Sequence, residues 1–413
     1  MSRLEEPTNE ASAMQKEISA IAEQGGGRAT KVEQLIQQYC PDGVEYRNVG
    51  DVCDIHKGIQ FNKSDMKDVG SYPVINGGIK PSGYTEMYNE EENTITISQG
   101  GASAGYVNFL ESKFWLGAHC YALKPYDVVM NRYLFHFIKQ NENILQQCQY
   151  GAGIPALAKS AISSLKIPVP PLPVQEEIVR ILDTFAELQA ELQAELQKRL
   201  QQYNYYRDNL LSFEGRTDVE WKKLGNVCLK VCSGGTPSRG NSGYFTGDIP
   251  WLRTQEVDWK DIYDTEIKIT EDAVKNSSAK LIPENCVIIA MYGATAGKVG
   301  INKIPLTTNQ ACCNLQINPQ KALYKYVYYW VCNEYEHLKS LGQGSQNNIN
   351  AQIIKEYPIP VPPLAEQQRI VDILDRFHAL TTDITAGLPA EIEARRKQYE
   401  HYRDQLLTFK QKA

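Results

Sequence analysis

Two copies of one hexapeptide, Ile-Pro-Val-Pro-Pro-Leu at residues 167–172 and 359–364, decide how this 413-residue chain is organised. Each copy runs into a similar segment, Ile-Val-Arg-Ile-Leu-Asp-Thr-Phe at 178–185 and Ile-Val-Asp-Ile-Leu-Asp-Arg-Phe at 370–377. The paired segments lie 192 residues apart. A repeat of this length predicts a tandem duplication, in which one structural unit is built twice.

The duplication extends to both sides of these segments. The further matched pairs are Val-Glu-Tyr-Arg at 44–47 with Val-Glu-Trp-Lys at 219–222, Gly-Ala-x-Ala-Gly at 101–105 with 293–297, and Tyr-Arg-Asp-x-Leu-Leu at 206–211 with 402–407. Glycines at the spacing of the second pair predict a tight turn between two strands. Each half of the chain therefore has a body, a Pro-rich hinge and a helix.

The pattern predicts five regions. They are 1–43, an N-terminal extension and helix; 44–166, the first body; 167–218, a hinge and a central helix; 219–357, the second body; and 358–413, a hinge and a C-terminal helix. Within the extension, Gly25-Gly26-Gly27 predicts a flexible joint after a weak helix, and 31–43 is expected to add a helical turn.

The bodies are predicted to be α+β. Short β-rich runs, such as Thr94-Ile95-Thr96-Ile97 and Val287-Ile288-Ile289, alternate with Asn-Gly, Gly-Gly and Pro punctuation. Each body ends in an aromatic-rich segment, at 133–138 or 324–330, which we expect to form a helix packed on the sheet. The fold class expected is thus two similar α/β domains separated by two long helices.

The two helical segments carry apolar stripes at steps of three, four or seven residues, which is typical of a packed helical seam. The stripe residues are Ile178, Leu182, Phe185, Leu188, Leu192, Leu196, Tyr203, Tyr206, Ile370, Leu374, Phe377, Tyr399 and Tyr402. We expect most of them to pack the helices as an antiparallel coiled coil with a pseudo-twofold repeat. Ala-Glu-Leu-Gln occurs three times in tandem at 186–197, whereas Gly387-Leu388-Pro389 interrupts the second helix.

Composition excludes several classes of protein. No run approaches the roughly 18 apolar residues of a membrane span, and the start has no secretory pattern, so a cytoplasmic protein without a membrane partner is expected. Ten cysteines without regular spacing fit reduced thiols. The net charge of −6 argues against a simple electrostatic DNA binder.

Catalytic and metal-binding patterns are weak. Gly293 to Val299 is one residue short of a phosphate-binding loop and has no hydroxyl at its end, and the six histidines form no spaced pair, so no metal site is expected. Glu220-Trp221-Lys222 and Glu266-Ile267-Lys268 match a pattern found in many nucleases, which leaves a nuclease as one alternative. A protein scaffold that does not bind DNA is another. No catalytic residue is predicted.

The chain resembles the specificity subunit of type I restriction-modification systems from about residue 31 to the end, because the Pro-rich hinge and the helix motifs occur together twice. The resemblance implies a non-catalytic subunit that binds double-stranded DNA and recruits two modification subunits and two restriction subunits. The part of the stripe that does not form the seam, with its four tyrosines, would then dock the modification subunits. The partners would use S-adenosylmethionine, ATP and Mg²⁺, and this chain would bind no cofactor. Each body would be a target-recognition domain reading half of an asymmetric split sequence, and the helices would set the spacer.

Base edges in the major groove are read by Arg, Lys, Asn, Gln, Ser and Thr on loops. The candidates are Lys57, Gln60, Asn62, Lys63, Asn76 and Lys80 in the first body, and Thr236, Ser238, Arg239, Asn241, Arg253, Thr254, Gln255, Asn309, Gln310, Ser345, Gln346, Asn347 and Asn348 in the second. The counterpart of 343–348 in the first body, 151–156, lacks polar side chains, so the two bodies are not expected to read DNA alike there.

Overall fold

The computed structural model describes residues 30–151, 153–213, 215–342, 348–382 and 386–412. It has two compact units, Met1–Ala194 with Glu391–Ala413, and Glu195–Ala390. Each unit therefore combines one body with a stretch of the central helix and a stretch of C-terminal helix. The weak helix and glycine joint predicted before residue 30 lie outside the described residues.

The first unit is an α+β structure, as predicted. Its strands are β1 (Tyr46–Asn48), β2 (Cys53–Lys57), β3 (Tyr72–Ile75), β4 (Gly83–Thr85), β5 (Thr94–Ser98), β6 (Val107–Leu110), β7 (Trp115–Leu116), β8 (Cys120–Pro125) and β9 (Lys166–Pro168). Its shorter helices are α1 (Lys31–Tyr39), α2 (Val49–Val52), α3 (Asn131–Gln140), α4 (Glu142–Gln147) and α5 (Lys159–Ser163). The helix expected after residue 30 is thus confirmed as α1, which begins at a Thr30 capping box.

Two sheets build the first body. One is antiparallel with strand order β2-β8-β5-β6, and the other has the order β4-β3-β7, in which β3 and β7 run parallel. The aromatic segment forms α3, and Tyr133, Leu134, Phe137 and Ile138 are buried in one core with strand residues such as Ile95 and Leu123. The predicted helix packed on the sheet is confirmed.

Between the two bodies in the chain runs α6 (Leu172–Leu210), a helix of 39 residues. Pro173 lies in its first turn, where proline is tolerated, and Ala, Glu, Leu and Gln dominate its middle, which favours a helix. Within α6 the boundary between the two units falls between Ala194 and Glu195, inside the third Ala-Glu-Leu-Gln copy. This helix has no break, as expected.

The second unit repeats the plan. Its strands are β10 (Glu220–Lys223), β11 (Cys228–Ser233), β12 (Ile249–Leu252), β13 (Asp261–Ile262), β14 (Lys268–Ile269), β15 (Val287–Ala290), β16 (Val299–Asn302), β17 (Thr307–Thr308), β18 (Cys312–Ile317) and β19 (Pro358–Val361). Its shorter helices are α7 (Glu271–Lys275), α8 (Tyr324–Asn333), α9 (Tyr335–Ser340) and α10 (Ala351–Glu356). The sheets have the orders β11-β18-β15-β16-β13 and β14-β12-β17.

The Pro-rich hinges end each body with a short strand. β9 pairs with β1, and β19 pairs with β10, both antiparallel. A buried glutamine one turn later then fixes the start of the helix. Gln175 Oε1 accepts from the Met130 N–H (2.8 Å), and its Nε2 donates to the carbonyls of Pro170 (2.7 Å) and Val128 (3.0 Å).

The second unit makes the same lock with Gln367. Its Oε1 accepts from the Leu323 N–H (2.9 Å), and its Nε2 donates to the carbonyls of Pro362 (2.8 Å) and Lys321 (3.3 Å). Both glutamine side chains are fully buried. One amide thus ties together the hinge, the segment before the aromatic helix and the long helix, in each unit.

The C-terminal region is two helices, α11 (Leu364–Thr382) and α12 (Leu388–Leu406), and the expected interruption at Gly387 therefore occurs. The apolar stripe has two kinds of partner. Ile178, Leu182 and Phe185 all belong to the core of the first unit, and Phe185 also stacks on Tyr402 of α12 with ring centroids 5.3 Å apart. The stripe in the first unit therefore packs in one core with residues of the body and of the C-terminal region.

The stripe of the second unit has the same two kinds of partner. Ile370 and Leu374 lie in the core of the second body, and Phe377 packs against Tyr203 and Tyr206 of α6 with ring centroids 6.4 and 5.3 Å away. Leu188 is buried, while Leu192 and Leu196 are half-buried. Among the residues that the structure covers, no helix is both long and apolar enough to cross a membrane.

Candidate nucleic-acid interface

Main-chain hydrogen bonds tie the loops at one end of the first body into a single cluster. Ile59 N–H donates to the Leu116 carbonyl (2.9 Å), and Gly117 N–H donates to the Ile75 carbonyl (2.8 Å). Gln99 N–H donates to the His119 carbonyl (2.8 Å). Leu157 N–H donates to the Gln99 carbonyl (2.7 Å) and so adds a further segment. We call these segments, residues 57–63, 75–80, 98–101, 116–120 and 155–157, the first loop cluster.

The second body has the same bonds. Gly235 N–H donates to the Thr308 carbonyl (2.8 Å), Asn309 N–H to the Leu252 carbonyl (2.9 Å), and Met291 N–H to the Ala311 carbonyl (2.8 Å). Ile349 N–H closes the set on the Met291 carbonyl (2.9 Å). We call residues 234–236, 252–255, 290–293, 308–312 and 348–349 the second loop cluster.

The bonds establish which positions correspond. Strand register agrees, because β3 lies parallel to β7 with Ile75 opposite Leu116, and β12 lies parallel to β17 with Leu252 opposite Thr308. The side chains on this common frame differ. The corresponding pairs are Ile59 with Gly235, Gln60 with Thr236, Asn76 with Arg253, Gly117 with Asn309, and His119 with Ala311. One backbone arrangement therefore carries two different sets of side chains.

The Gly-Ala-x-Ala-Gly segments are the tight turns that the sequence predicts. They join β5 to β6 and β15 to β16. Gly101, Gly105, Gly293 and Gly297 have φ between 78° and 86°, a region that glycine adopts without strain. The turns border the loop clusters, since Gly101 N–H donates to the Pro155 carbonyl (2.9 Å).

The structure brings the first-body candidates together. Lys57, Gln60, Asn62, Lys63 and Lys80 are exposed, and Asn76 is half-buried. All six lie in the first loop cluster. Two of the amides are engaged locally, Gln60 with the Phe61 carbonyl (3.2 Å) and Asn62 with Asp65 (3.2 Å).

In the second body, seven candidates lie in the second loop cluster: Thr236, Arg253, Thr254, Gln255, Asn309, Gln310 and Asn348. The Thr236 hydroxyl bonds the Gln310 side chain, and Asn348 Oδ1 accepts from Gly293 N–H (3.4 Å). Arg253 is neutralised by Glu266 and by Glu256, whose Oε1 lies 3.1 Å from its Nε. Its positive charge is therefore already balanced within the body.

The positions and contacts of the other second-body candidates are as follows. Thr254 and the exposed Gln255 follow Arg253 in the cluster, where the Thr254 carbonyl accepts from Thr295 Oγ1 (3.0 Å). Ser238, Arg239 and Asn241 are exposed on the segment after the cluster. Ser345, Gln346 and Asn347 lie outside the described residues.

Sequence reasoning missed His119, which is exposed in the middle of the first loop cluster. It also missed Tyr150, which is 56% exposed and whose main chain pairs with Ala156 beside that cluster. A signal for His119 was present, since the 192-residue offset aligns 117–119 with Asn309-Gln310-Ala311.

A charged anchor joins each aromatic helix to its long helix. In the first unit Asp183 accepts from Arg132 and from His136 Nε2 (2.8 Å), and His136 Nδ1 lies 3.0 Å from the Tyr399 hydroxyl. In the second unit Asp375 accepts from the Tyr329 hydroxyl (2.6 Å) and Lys325 (2.6 Å).

In the first anchor, the surroundings shift the pKa values of both His136 and Asp183. Burial lowers the pKa of His136, and the hydrogen bond to Asp183 opposes this only in part. Burial alone would raise the pKa of Asp183, but the hydrogen bonds from His136 and Arg132 lower it below its usual value. His136 is therefore neutral in the folded protein near pH 7, beside an ionised Asp183.

The two glutamates of the nuclease-like tripeptides do not converge. Glu220 lies on β10 and pairs with Lys222 (3.0 Å), whereas Glu266 precedes β14 and pairs with Arg253. Within the described part of the chain, no three His, Cys, Asp or Glu side chains are placed to hold a metal ion. The geometry gives the nuclease alternative no assembled site.

Comparison with known proteins places these features in a family. The sequence model of one protein family, the type I restriction modification DNA specificity domain, matches residues 41–202 and again residues 217–394. The specificity subunit of the Escherichia coli type I restriction enzymes EcoR124I and EcoR124II is 44% identical over 60% of this chain, and the chain spans 65% of that relative's length. A Haemophilus influenzae protein named as a type I restriction enzyme specificity subunit is 31% identical, over 89% of this chain and 96% of its own.

Two solved structures share the fold. The S subunit of a type I restriction-modification system from M. genitalium superposes with a TM-score of 0.60 at 18% identity, covering 88% of this chain and 95% of its own. A chain from a study of complex assembly and conformational transition of the type I R-M system has a TM-score of 0.54 at 15% identity, covering 89% and 98%.

Proposed function

The chain belongs to the family of type I restriction-modification DNA specificity proteins, and from that premise we propose that its two bodies each read one half of an asymmetric, bipartite DNA target. The loop clusters are the reading surfaces. Their candidate side chains carry the hydrogen-bond donors and acceptors that distinguish base edges in the major groove.

The observation that carries this proposal is the common main-chain frame with different side chains upon it. A frame that is held by backbone bonds stays the same when exposed side chains change. Asn76 and His119 in the first body correspond to Arg253 and Ala311 in the second. Two domains of one architecture would therefore recognise two different base sequences.

The helices supply the second part of the proposal, which is the distance between the half-sites. One Ala-Glu-Leu-Gln copy adds about 6 Å of helix. That length is comparable to one or two base-pair steps of about 3.4 Å. The copy number in α6 would thus set the spacer.

We further propose that the chain works without chemistry of its own. Two modification subunits would dock on the helices, where Tyr206 is 43% exposed, and two restriction subunits would complete the complex. These partners would use S-adenosylmethionine, ATP and Mg²⁺. They would also supply much of the affinity for phosphate, because this chain has a net charge of −6 and Arg253 is already paired. We expect the isolated chain to bind DNA weakly and in a salt-sensitive way.

The test is a long-read methylome of the host with and without this gene, with its neighbouring modification gene intact. We expect one split adenine-methylation motif to disappear on deletion and to return on complementation. Exchange of one body for that of a relative should then change one half of the motif only. A motif that persists after deletion would contradict the proposal and would favour the protein scaffold.

The nuclease alternative has a separate test. Alanine at Glu220 and at Glu266 should leave the methylome unchanged, and the pure chain should not cleave DNA in the presence of Mg²⁺. Cleavage by the pure chain that either substitution removes would favour the nuclease instead.

A further inference from the structure

The two loop clusters use the same backbone N–H group to hold an asparagine. His119 N–H donates to Asn76 Oδ1 at 3.2 Å in the first body. Ala311 N–H, at the corresponding position of the second body, donates to Asn309 Oδ1 at 3.2 Å. The two asparagines do not correspond in the chain, because Asn76 follows β3 and Asn309 follows β17.

The first body has a glycine where the second has this asparagine. A Cβ atom built on Gly117 would lie 2.4 Å from Asn76 Oδ1, and its three nearest atoms all belong to the Asn76 side chain. Asn76 thus fills the space that a side chain at position 117 would use. In the second body the residue corresponding to Asn76 is Arg253. Its side chain pairs with Glu256 and Glu266, and Asn309 accepts the hydrogen bond from the backbone N–H instead.

The backbone bond orients each amide. An N–H group can only donate, so the atom that faces it must be the carbonyl oxygen, and the NH₂ group points the other way. No described residue accepts a hydrogen bond from Nδ2 of Asn76 or Asn309, and neither Nδ2 is among the buried polar atoms that lack a partner in the described chain. Each NH₂ group therefore faces solvent as a fixed donor.

We infer that Asn76 and Asn309 are equivalent specificity-determining residues, each presenting a pre-oriented amide donor to one base in its half-site. The inference rests on the proposed function and deepens it. The base contacted must offer an acceptor in the major groove, which is purine N7, guanine O6 or thymine O4. Cytosine, which offers only a donor there, is excluded as the contacted base on that strand.

The first experiment changes the sign of the contact. Asn76→Asp keeps an oxygen for His119 N–H but replaces the outward donor with an acceptor, and Asn309→Asp does the same in the second body. Each variant is expressed with its modification partner in the host lacking the wild-type gene, and the methylome is read. A matched control is Asn108→Asp on β6, where Oδ1 also accepts a backbone N–H, that of Phe109 (3.0 Å), outside the loop cluster.

We expect Asn76→Asp to reduce methylation of the wild-type motif about tenfold or more and to favour a donor base at one position of the first half only. Asn309→Asp should do this in the second half, and Asn108→Asp should leave the motif unchanged. Full methylation of the wild-type motif by both loop variants would overturn the inference while leaving the proposed function intact. Absence of any motif with the wild-type chain would overturn both.

The second experiment moves the donor from one backbone position to the other. Asn76→Gly should lose discrimination at that base, and the pair Asn76→Gly with Gly117→Asn should restore it, as in the second body. Gly117 is not among the positive-φ glycines, so asparagine fits its backbone conformation. A double variant that folds with the wild-type melting temperature but still fails to discriminate would overturn the inference, whether or not the aspartate variants fold.

Discussion

Replacement of Gln175 by leucine should loosen the first unit and leave the second unit intact. Leucine is similar in size to glutamine but makes none of its three hydrogen bonds. The Met130 N–H and the buried Pro170 carbonyl would lose their partners, at about 1–3 kcal/mol each. The Val128 carbonyl belongs to an exposed residue and can bind water instead.

These losses are partly offset, because leucine gains about 1 kcal/mol from burial in the same place. The net cost is therefore about 3 kcal/mol. Since 1.4 kcal/mol corresponds to a factor of ten, the opening equilibrium of the unit should rise about 100-fold. Gln367→Leu should produce a similar effect in the second unit, because the Leu323 N–H and the buried Pro362 carbonyl lose the same kind of partner.

Hydrogen exchange read by mass spectrometry can localise the effect, since buried amides exchange through opening of their own unit. Peptides from α3 should exchange faster in Gln175→Leu, and peptides from α8 should not. In Gln367→Leu the pattern should be reversed. The control is Gln193→Leu, at an exposed position of α6, which should change neither. The reasoning is refuted if α3 exchanges in Gln175→Leu at the rate seen in the control.

Three further outcomes are expected. Unfolding lets the buried, neutral His136 take up a proton, so the first unit should lose stability as the pH falls below about 6.5, by about 1 kcal/mol at pH 5.5. In urea titrations, His136→Gln should show a weaker dependence of stability on pH. Gly234→Ala should cost about 2 kcal/mol or more in thermal unfolding, because its Cβ would lie 2.0 Å from the Thr308 carbonyl oxygen. The control Gly240→Ala should cost little, because its Cβ would make only an ordinary contact of 3.8 Å with Ser238 Oγ. Deletion of residues 190–193 should shorten the spacer of the methylated motif by about one or two base pairs without changing either half of the motif. An unchanged spacer in the methylome would contradict the proposal that the length of α6 sets the spacer.

The sequence was sufficient for the overall plan. Three local sequence patterns predicted it: the repeated hexapeptide, the apolar stripe and the glycine pairs. Each pattern is present in both halves of the duplicated chain. Burial was harder to assign. Periodicity shows that Ile178 and Phe185 share one face of a helix, but it does not show that both enter the core of the first unit, or that Tyr402 of another helix stacks on Phe185.

The loop clusters show a second limit. Asn76 and Asn309 were both candidates because of their residue type, yet an alignment of the two halves pairs Asn76 with Arg253 and Asn309 with Gly117. Their common role depends on one backbone N–H in space, at His119 or Ala311. His119 was overlooked because a single exposed histidine has no local pattern, and only its place between joined loops draws attention to it.

The backbone frame of the loop clusters also has a consequence for how such a protein changes over generations. Buried side chains and the hydrogen-bonded main chain stabilise this frame, while the exposed side chains beside it contribute little to the folding free energy. Substitutions at those positions are then nearly neutral for stability, so variants accumulate without loss of the folded chain. If each body reads one half-site, as we propose, new recognition can arise one side chain at a time in one body, while the other body keeps its own half of the target.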